Sequence, residues 1–273
     1  MPPFIAVITS VYDAGEINGL LKTFRSIKSQ GTKRIIWYLG LKTDFISKLP
    51  TEIVTDSQVI IQITNDNSIY EAWNKILFDV TQKWVLFLGA GDILANDFDL
   101  SFWENTLIQN PHTDIVFGNC ILREAKSDLY LYTKTNENVG NLGVFRNGLI
   151  EIPVHPEVFH NLEQSSAPLK FDERFSIAAD AHFLVNVIVN GTYKYFDQDV
   201  SNMEAGGRSQ NPEMLMLINK EKNTIISENR LSISVSHQVK NYTVESVKLA
   251  IFRILGPYLY QNIKYNLVRL FRR

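Results

Sequence analysis

The sequence predicts an α/β fold in which a mostly parallel central sheet carries helices on both faces. Short apolar runs rich in β-branched residues recur through the first half of the chain, and the segments between them have apolar residues at helical spacing. Strands that alternate with helices are typical of parallel βαβ units. With 273 residues, of which 45% are hydrophobic, the chain is long enough to enclose a large core.

The first half supplies five predicted strands and the helices between them. Apolar residues in 17–27 and in 69–77 recur every three or four positions, as on one face of a helix. In a parallel sheet, ligands bind beyond the carboxyl ends of the strands, so we expect the site in the loops that follow the first four strands. The predicted buried strands are Phe4–Thr9, Arg34–Leu39, Val59–Ile63, Trp84–Leu88 and Asp114–Asn119.

The second half is less regular. Residues 133–148 contain four Asn, three Gly and few apolar residues, which predicts a mobile loop near the site. No internal repeat or Ser/Pro-rich linker is present, so the simplest division is one domain over 1–210 and a helical C-terminal segment over 211–273. Within the second half we predict a helix, a strand and a second helix: 179–189, 192–196 and 212–227.

Composition excludes several classes of protein. The 21% charged and 11% aromatic residues are ordinary for a globular domain and exclude disordered or collagen-like chains. A single cysteine, Cys120, excludes an intramolecular disulfide and a cysteine-based zinc site. Residues 1–4 lack the basic and long apolar regions of a secretory signal, and no window approaches the roughly 18 apolar residues of a membrane-spanning helix. We therefore expect a cytoplasmic protein.

The net charge of −2 conceals an asymmetry along the chain. Residues 246–273 contain six basic residues and no acid, so the remainder carries a clear excess of acid. An acidic body is a poor match for nucleic acid, and we expect no such partner. Apolar residues recur at helical spacing in this tail, with basic residues between them. The pattern leaves two alternatives: contact with an anionic membrane surface, or packing on the body or on a second copy of the chain in a homo-oligomer.

A fully apolar run, Trp84–Leu88, leads directly into Gly89-Ala90-Gly91-Asp92. A carboxylate at the end of a rigid buried strand, beside glycines that let a ligand approach, is suited to hold a divalent cation against a diphosphate. The structural alternative is that Asp92 only caps the turn or the next helix. A dinucleotide-binding loop is excluded because the third glycine of that motif is replaced by Leu94.

Two further acids precede or begin predicted helices. Asp66 joins the third strand to its helix, where an Asp either accepts hydrogen bonds from a ligand or forms the Asx turn that starts the helix. Asp180 lies at the start of a largely apolar helix. There a carboxylate is suited to deprotonate an attacking hydroxyl as a general base, or to stabilise the helix dipole. These residues alone leave both alternatives open.

Two cationic or titratable residues complete the set of candidates. His155 lies between Pro153 and Pro156, which fix the backbone, and is either an ordinary loop residue or a ligand contact. Arg208 follows Gly206-Gly207, so flexible amides and a cation together form either an anion-binding segment or a plain turn.

Taken in order, these segments resemble those of family 2 glycosyltransferases of the GT-A fold, from Phe4 to Ser209. Each segment alone is weak, but their succession is specific. In family order, they are the opening strand Val7–Tyr12, the D-x-G-I-Y-D-A-M-N-K-like Asp66–Lys75, the FLNSGD-like Leu86–Asp92 (a reduced D-x-D motif), the P-H-Q-like Pro153–Pro156 and the FDE…ED-like Phe171–Asp180.

The resemblance implies transfer of a sugar, with inversion, from a nucleotide diphosphate sugar to a hydroxyl of a glycan or lipid-linked acceptor in bacterial surface polysaccharide synthesis. It implies that Asp180 is the catalytic base and that Asp92 holds Mg²⁺ or Mn²⁺ on the diphosphate. The basic tail would then lie on the inner face of the plasma membrane. The residues implied for the nucleotide-sugar pocket are Thr9, Asp66, Gly91, Asp92, His155 and Arg208.

Two departures from the family pattern motivate a second hypothesis. Leu39 stands where the family usually has the acid that recognises the base, and Ala90 replaces the first acid of the D-x-D motif. The alternative function is therefore a catalytically lapsed GT-A domain that acts as a binding or scaffolding subunit.

Overall fold

The computed structural model describes residues 2–124, 129–141, 145–146, 149–163, 169–205, 211–231, 243–244 and 246–256, together with 260, 263 and 266. Residues 243–244 and 246–256 are helical. The elements before them are β1 (Ile5–Val11), α1 (Ile17–Lys28), β2 (Ile35–Leu41), α2 (Thr51–Val54), β3 (Val59–Ile63), α3 (Ile69–Leu77), β4 (Trp84–Phe87), β5 (Ile93–Leu94), α4 (Leu100–Gln109), β6 (Ile115–Glu124), β7 (Tyr130–Lys134), β8 (Phe145–Arg146), β9 (Leu149–Ile150), β10 (Val158–Asn161), α5 (Ala179–Asn190), β11 (Tyr193–Ala205) and α6 (Leu215–Glu228).

The central sheet confirms the predicted fold class. Its strand order is β3-β2-β1-β4-β10-β6-β11-β5, and β7 pairs with β6. The first four strands of this order are parallel, as are β6 and β11. β10 is antiparallel to both of its neighbours. All five strands predicted in the first half form, whereas β10 was not predicted and is placed by its pairing with β4 and β6.

Each face of the sheet is covered by its own apolar layer. Side chains alternate between the faces along each strand, so neighbouring residues of β1 enter different layers. One layer joins Val7 to Leu20 of α1 and Trp103 of α4. The other joins Ile8 to Trp73 of α3 and also includes buried side chains of α5 and α6.

The later elements agree with the predictions in type and differ in length. The predicted strand over 192–196 continues to Ala205, because its second part, from Asp199, pairs with Asn119–Glu124 of β6. The predicted helix over 212–227 forms as α6 after a short 3-10 turn, Pro212–Met214. Ile225 and Ile226 of α6 pack in the same apolar layer as α5. The domain boundary at residue 210 stays a prediction.

The segment predicted as a mobile loop, 133–148, is ordered where the structure describes it. β7 continues to Lys134, and Asn136 is 1% exposed. The Asn136 amide donates to the carbonyl of Gly118 (2.7 Å) and to Glu157 Oε1 (2.8 Å). The expectation of a loop throughout is therefore wrong at 133–134 and 145–146, which are strand; 135–141 form turns without helix or strand, and their mobility stays a prediction. Residues 142–144 and 147–148 lie outside the described residues.

None of the helices within the described ranges has both the length and the apolar character that crossing a bilayer requires.

Candidate functional site

The carboxyl ends of β1, β2, β3 and β4 meet at one edge of the sheet because these strands are parallel. This is the edge at which open α/β sheets bind ligands. Several polar residues there are buried, among them Ser10 near the end of β1, Asp66 after β3 and Asp92 after β4. Buried polar groups need partners, so their hydrogen bonds show which of them are left for a ligand.

Thr9 is fixed inside the fold. Its Oγ1 accepts a hydrogen bond from Trp37 Nε1 (2.9 Å), and the residue is fully buried on the α1 face of the sheet. Its predicted place in the nucleotide pocket stays a prediction. Ser10 lies on the opposite face, is 3% exposed, and its Oγ has no partner among the described residues. Ser10 was missed, although strand alternation after Thr9 could have indicated it.

Asp66 is held by one oxygen and leaves the other unpaired. Thr64 Oγ1 donates to Asp66 Oδ2 (2.5 Å), whereas Oδ1 has no hydrogen-bonding partner in the described part of the chain. The preceding Asn65 has a positive φ of 41° and accepts from the backbone amide of Thr43, which ties the loops after β2 and β3 together. The helix cap is provided by Ser68, which accepts from the Glu71 amide (3.1 Å). Asp66 is therefore not needed as the cap of α3.

Asp92 closes the turn that follows β4. Its Oδ2 accepts from the Gly89 amide (2.9 Å), and its Oδ1 accepts from the Glu204 amide of β11 (3.3 Å). Gly91 adopts φ 107°, a region that favours glycine. Thr23 of α1 accepts from the Gly91 amide (3.0 Å) and donates to the Asp92 carbonyl (2.7 Å). Both carboxylate oxygens of Asp92 are thus bonded to main-chain amides.

Burial raises the pKa of Asp92 from its ordinary value of 3.8 to about 6, and the charge of Glu204 adds to this effect against the two main-chain hydrogen bonds. Glu204 is the nearest second acid, and it pairs with Lys22 (2.7 Å). The described residues contain no group of three or more His, Cys, Asp or Glu side chains arranged to hold a metal ion. The role of Asp92 in holding Mg²⁺ or Mn²⁺ stays a prediction.

Asp180 lies in the first turn of α5, and its hydrogen bonds differ from those of Asp92. Its Oδ1 accepts from the hydroxyl of Tyr70 on α3 (3.1 Å) and from the Ala181 amide (2.9 Å). Both of these hydrogen bonds are made to Oδ1. Burial raises the pKa of Asp180, and the charge of Glu221 adds to this, while hydrogen bonds from the Ala181 amide, the Tyr70 hydroxyl and its own amide lower it.

Asp180 lines a pocket of about 340 Å³. This volume lies in the range of small-molecule sites. Most of the lining is apolar and comes from 149–156, α5 and α6. The polar residues of its wall, besides Asp180, are Lys134, Glu151, His155 and Lys222.

His155 lines the same pocket but lies mainly in the core. Its ring stacks on Phe87 at 4.5 Å between centroids and lies 4.9 Å from Trp73. Neither ring nitrogen has a hydrogen-bonding partner among the described residues. Burial, with the nearby His160, holds the pKa of His155 well below its ordinary value, so the ring is neutral at pH 7. Its contact with a nucleotide sugar stays a prediction.

The structure thus brings the predicted residues Thr9, Asp66, Gly91 and Asp92 to one edge of the sheet, while His155 and Asp180 line one pocket. Arg208 lies outside the described residues. Leu39, at the position of the family's base-recognising acid, is fully buried in the apolar layer beneath α1.

The comparisons with known proteins show the fold. The sequence matches no family profile and no curated protein. The structure is similar to crystal structures of S. aureus TarS 1-349, with a TM-score of 0.56 at 13% identity, covering 91% of this chain and 72% of that chain. The TarS 1-349 complex with UDP gives a TM-score of 0.55 at 13% identity, with 97% of this chain and 89% of that one covered. The complex with UDP-GlcNAc gives 0.56 at 12% identity, with 91% and 72% covered. The fold is therefore glycosyltransferase-like.

Proposed function

We propose that this chain is an inverting glycosyltransferase that moves a sugar from a nucleotide diphosphate sugar to a hydroxyl of a glycan or lipid-linked acceptor. The observation that carries the proposal is Asp180: its Oδ1 is held by the Tyr70 hydroxyl and the Ala181 amide, and the residue lines a pocket. The TarS structures of similar fold include complexes with UDP and UDP-GlcNAc, which supports a nucleotide-sugar donor.

The chemistry suits a single carboxylate base. The acceptor oxygen attacks the anomeric carbon as the bond from that carbon to the diphosphate oxygen breaks on the opposite face, so the configuration inverts. The hydroxyl proton passes to Oδ2 of Asp180. A carboxylate with a raised pKa accepts this proton more readily than an ordinary one while remaining ionised above that pKa.

The nucleotide would lie at the edge formed by β1 to β4. The unpaired Asp66 Oδ1 is an acceptor for ligand hydroxyl or amide groups, and Ser10 Oγ is both a donor and an acceptor. The requirement for Mg²⁺ or Mn²⁺ stays a prediction. Both oxygens of Asp92 accept main-chain amides, so a cation would compete with these hydrogen bonds. Addition of EDTA and then Mn²⁺ to a transfer assay tests this requirement.

The test of the function is a screen of nucleotide sugars, beginning with UDP-GlcNAc, by thermal shift and by donor turnover. We expect a donor to raise the unfolding temperature and to be hydrolysed or transferred, because ligands that bind only the folded state stabilise it. Asp180→Asn should abolish this turnover. Asp79→Asn is its matched control, since Asp79 is a surface acid that contacts Gln62. The proposal is contradicted when donors bind and neither hydrolysis nor transfer occurs with any acceptor glycan or lipid-linked acceptor supplied.

A lapsed binding or scaffolding domain is the second candidate. It is favoured by the inward-bonded carboxylate of Asp92 and by Leu39 in the core. It predicts that no nucleotide or nucleotide sugar changes the unfolding temperature, with or without Mn²⁺.

The tail supports a proposal of peripheral membrane contact. Val247, Ile251 and Ile254 share one helix face and are 52%, 41% and 81% exposed. The tail carries basic residues and no acid over 246–273, which suits anionic lipid. Cosedimentation with vesicles of anionic phospholipid, and none with neutral ones, is the expected result. Binding that Val247→Ser and Ile254→Ser leave unchanged would contradict it, and self-association would favour the homo-oligomer.

A further inference from the structure

The start of α5 is capped by a residue from another helix. The N-cap residue, Ala178, has no side chain able to cap it. Instead the Glu221 carboxylate of α6 accepts from three successive amides, those of Ser176 (2.7 Å), Ile177 (3.1 Å) and Ala178 (2.8 Å). Glu221 is only 6% exposed. A buried carboxylate that receives three amides at a helix N-terminus is stabilised by both the hydrogen bonds and the helix dipole.

This cap bears directly on the segment that holds Asp180. The peptide groups around Ile177 are fixed from two sides, because its amide donates to Glu221 and its carbonyl accepts from the Tyr70 hydroxyl (2.5 Å). Asp180 follows three residues later. Tyr70 also donates to Asp180 Oδ1, so α3 and α6 together set the position of this carboxylate.

The cap also leaves Asp180 without a capping task. An acid in the first turn of a helix commonly accepts from the amides at that end, and Asp180 does so only toward Ala181. Glu221 occupies the three preceding amides. Both hydrogen bonds to Asp180 are made to Oδ1, and the residue lines the pocket.

We infer that Glu221 is a positioning residue for Asp180, which it holds in the geometry of a base by capping α5 from α6. The inference rests on the proposed function, since it presumes that Asp180 takes the acceptor proton. It also assigns α6 to the catalytic structure.

Glu221 acts on Asp180 electrostatically as well. Its charge raises the pKa of Asp180, so its removal lowers that pKa. The other charged or titratable groups that contact Asp180 or line its pocket are Tyr70 of α3, Lys222 of α6, Lys134 of β7, and Glu151 and His155 of the segment after β9. They are unchanged in a Glu221 variant.

The experiment compares Glu221→Gln with Glu228→Gln in the full chain. Glu228 is the matched control because it also joins α6 to α5, through His182 (3.1 Å), and contacts none of the three amides. We expect Glu221→Gln to lower kcat roughly 10- to 100-fold with an unchanged KM for the donor, because small displacements of a catalytic group cost this much. We also expect the acidic limb of its kcat–pH profile to move to lower pH, and Glu228→Gln to match the wild type.

A wild-type kcat in Glu221→Gln, an equal loss in Glu228→Gln, or an unmoved acidic limb would overturn the inference. Should Glu221→Gln fail to fold, Glu221→Asp takes its place: it keeps the charge and shortens the reach, so we expect a lower kcat at an unmoved pH limb, and a wild-type kcat overturns the inference. Asp180→Asn distinguishes failure of the proposed function from failure of the positioning role. Retained transfer in Asp180→Asn refutes the proposed function. Loss of transfer in Asp180→Asn together with a wild-type kcat in Glu221→Gln refutes only the positioning role.

Discussion

Asp92 is a buried acid that closes the turn after β4, and Asp180 is a partly buried acid in the first turn of α5; their comparison shows how differently two carboxylates are bonded. Both have raised pKa values because of burial. Both oxygens of Asp92 accept main-chain amides. Asp180 uses one oxygen, toward Tyr70 and Ala181, and lines a pocket. The position of an acid at the end of a strand or the start of a helix therefore does not determine whether it can bind a ligand. The number of its carboxylate oxygens that accept main-chain amides does.

The difference has a structural origin. In the turn at 89–92, Asp92 itself receives the Gly89 amide. At α5 the corresponding amides are received by Glu221 from a distant part of the chain. This contrast leads to three predictions.

The largest expected effect belongs to Asp180→Asn. An amide cannot take the proton of the acceptor hydroxyl, so transfer should fall by roughly 10³-fold. Donor affinity, measured by calorimetry, should stay unchanged because the substitution leaves the proposed nucleotide contacts, Asp66 and Ser10, intact. A rate within tenfold of the wild type would show that Asp180 is not the base.

Asp92→Asn should change the pH dependence of stability. The folded pKa of about 6 exceeds the ordinary value of 3.8, so the folded state binds the extra proton. The wild type therefore loses about 3 kcal/mol of unfolding free energy from this group as the pH rises from about 4 to about 7, and the variant does not. Urea unfolding across this range measures the difference.

Parallel pH curves for the wild type and Asp92→Asn would show that burial does not raise the pKa of this carboxylate. Unfolding of the wild type and of Asp92→Asn is also compared with and without Mn²⁺. Stabilisation of the wild type at pH 7 that the variant lacks would indicate that Asp92 binds the cation after all.

Tyr70→Phe should have a smaller effect on Asp180. It removes the hydroxyl that donates to Asp180 Oδ1 and to the Ile177 carbonyl, and a lost hydrogen bond of this kind costs about 1 kcal/mol. Because the Tyr70 hydrogen bond lowers the pKa of Asp180, the acidic limb of the kcat–pH profile should move to higher pH. Movement in the same direction as Glu221→Gln would contradict the account.

Much of the sheet could be predicted from the sequence, since buried parallel strands such as Trp84–Phe87 appear as unbroken apolar runs. β10 could not, because it is short and its pairing with β4 and β6 is made by tertiary contacts. The ordered start of the 133–148 segment depends on Asn136, whose partners at Gly118 and Glu157 are distant in sequence.

The site was predictable to the level of its acids and no further. Asp66, Asp92 and Asp180 could be named from their positions after strands and at a helix start. Their hydrogen bonds could not be foreseen, because the partners of Asp92 and of the amides before Asp180 include residues as distant as Glu204 and Glu221. No local pattern connects Glu221 with the start of α5, which lies more than 40 residues earlier.

The most direct test of the central claim is the configuration of the product. Proton NMR of the anomeric signal, with the donor that the screen identifies, should show a product of opposite anomeric configuration to the donor, since one carboxylate base supports a single displacement. Retention of configuration would contradict the account, because it requires a second displacement that this arrangement of Asp180 does not provide.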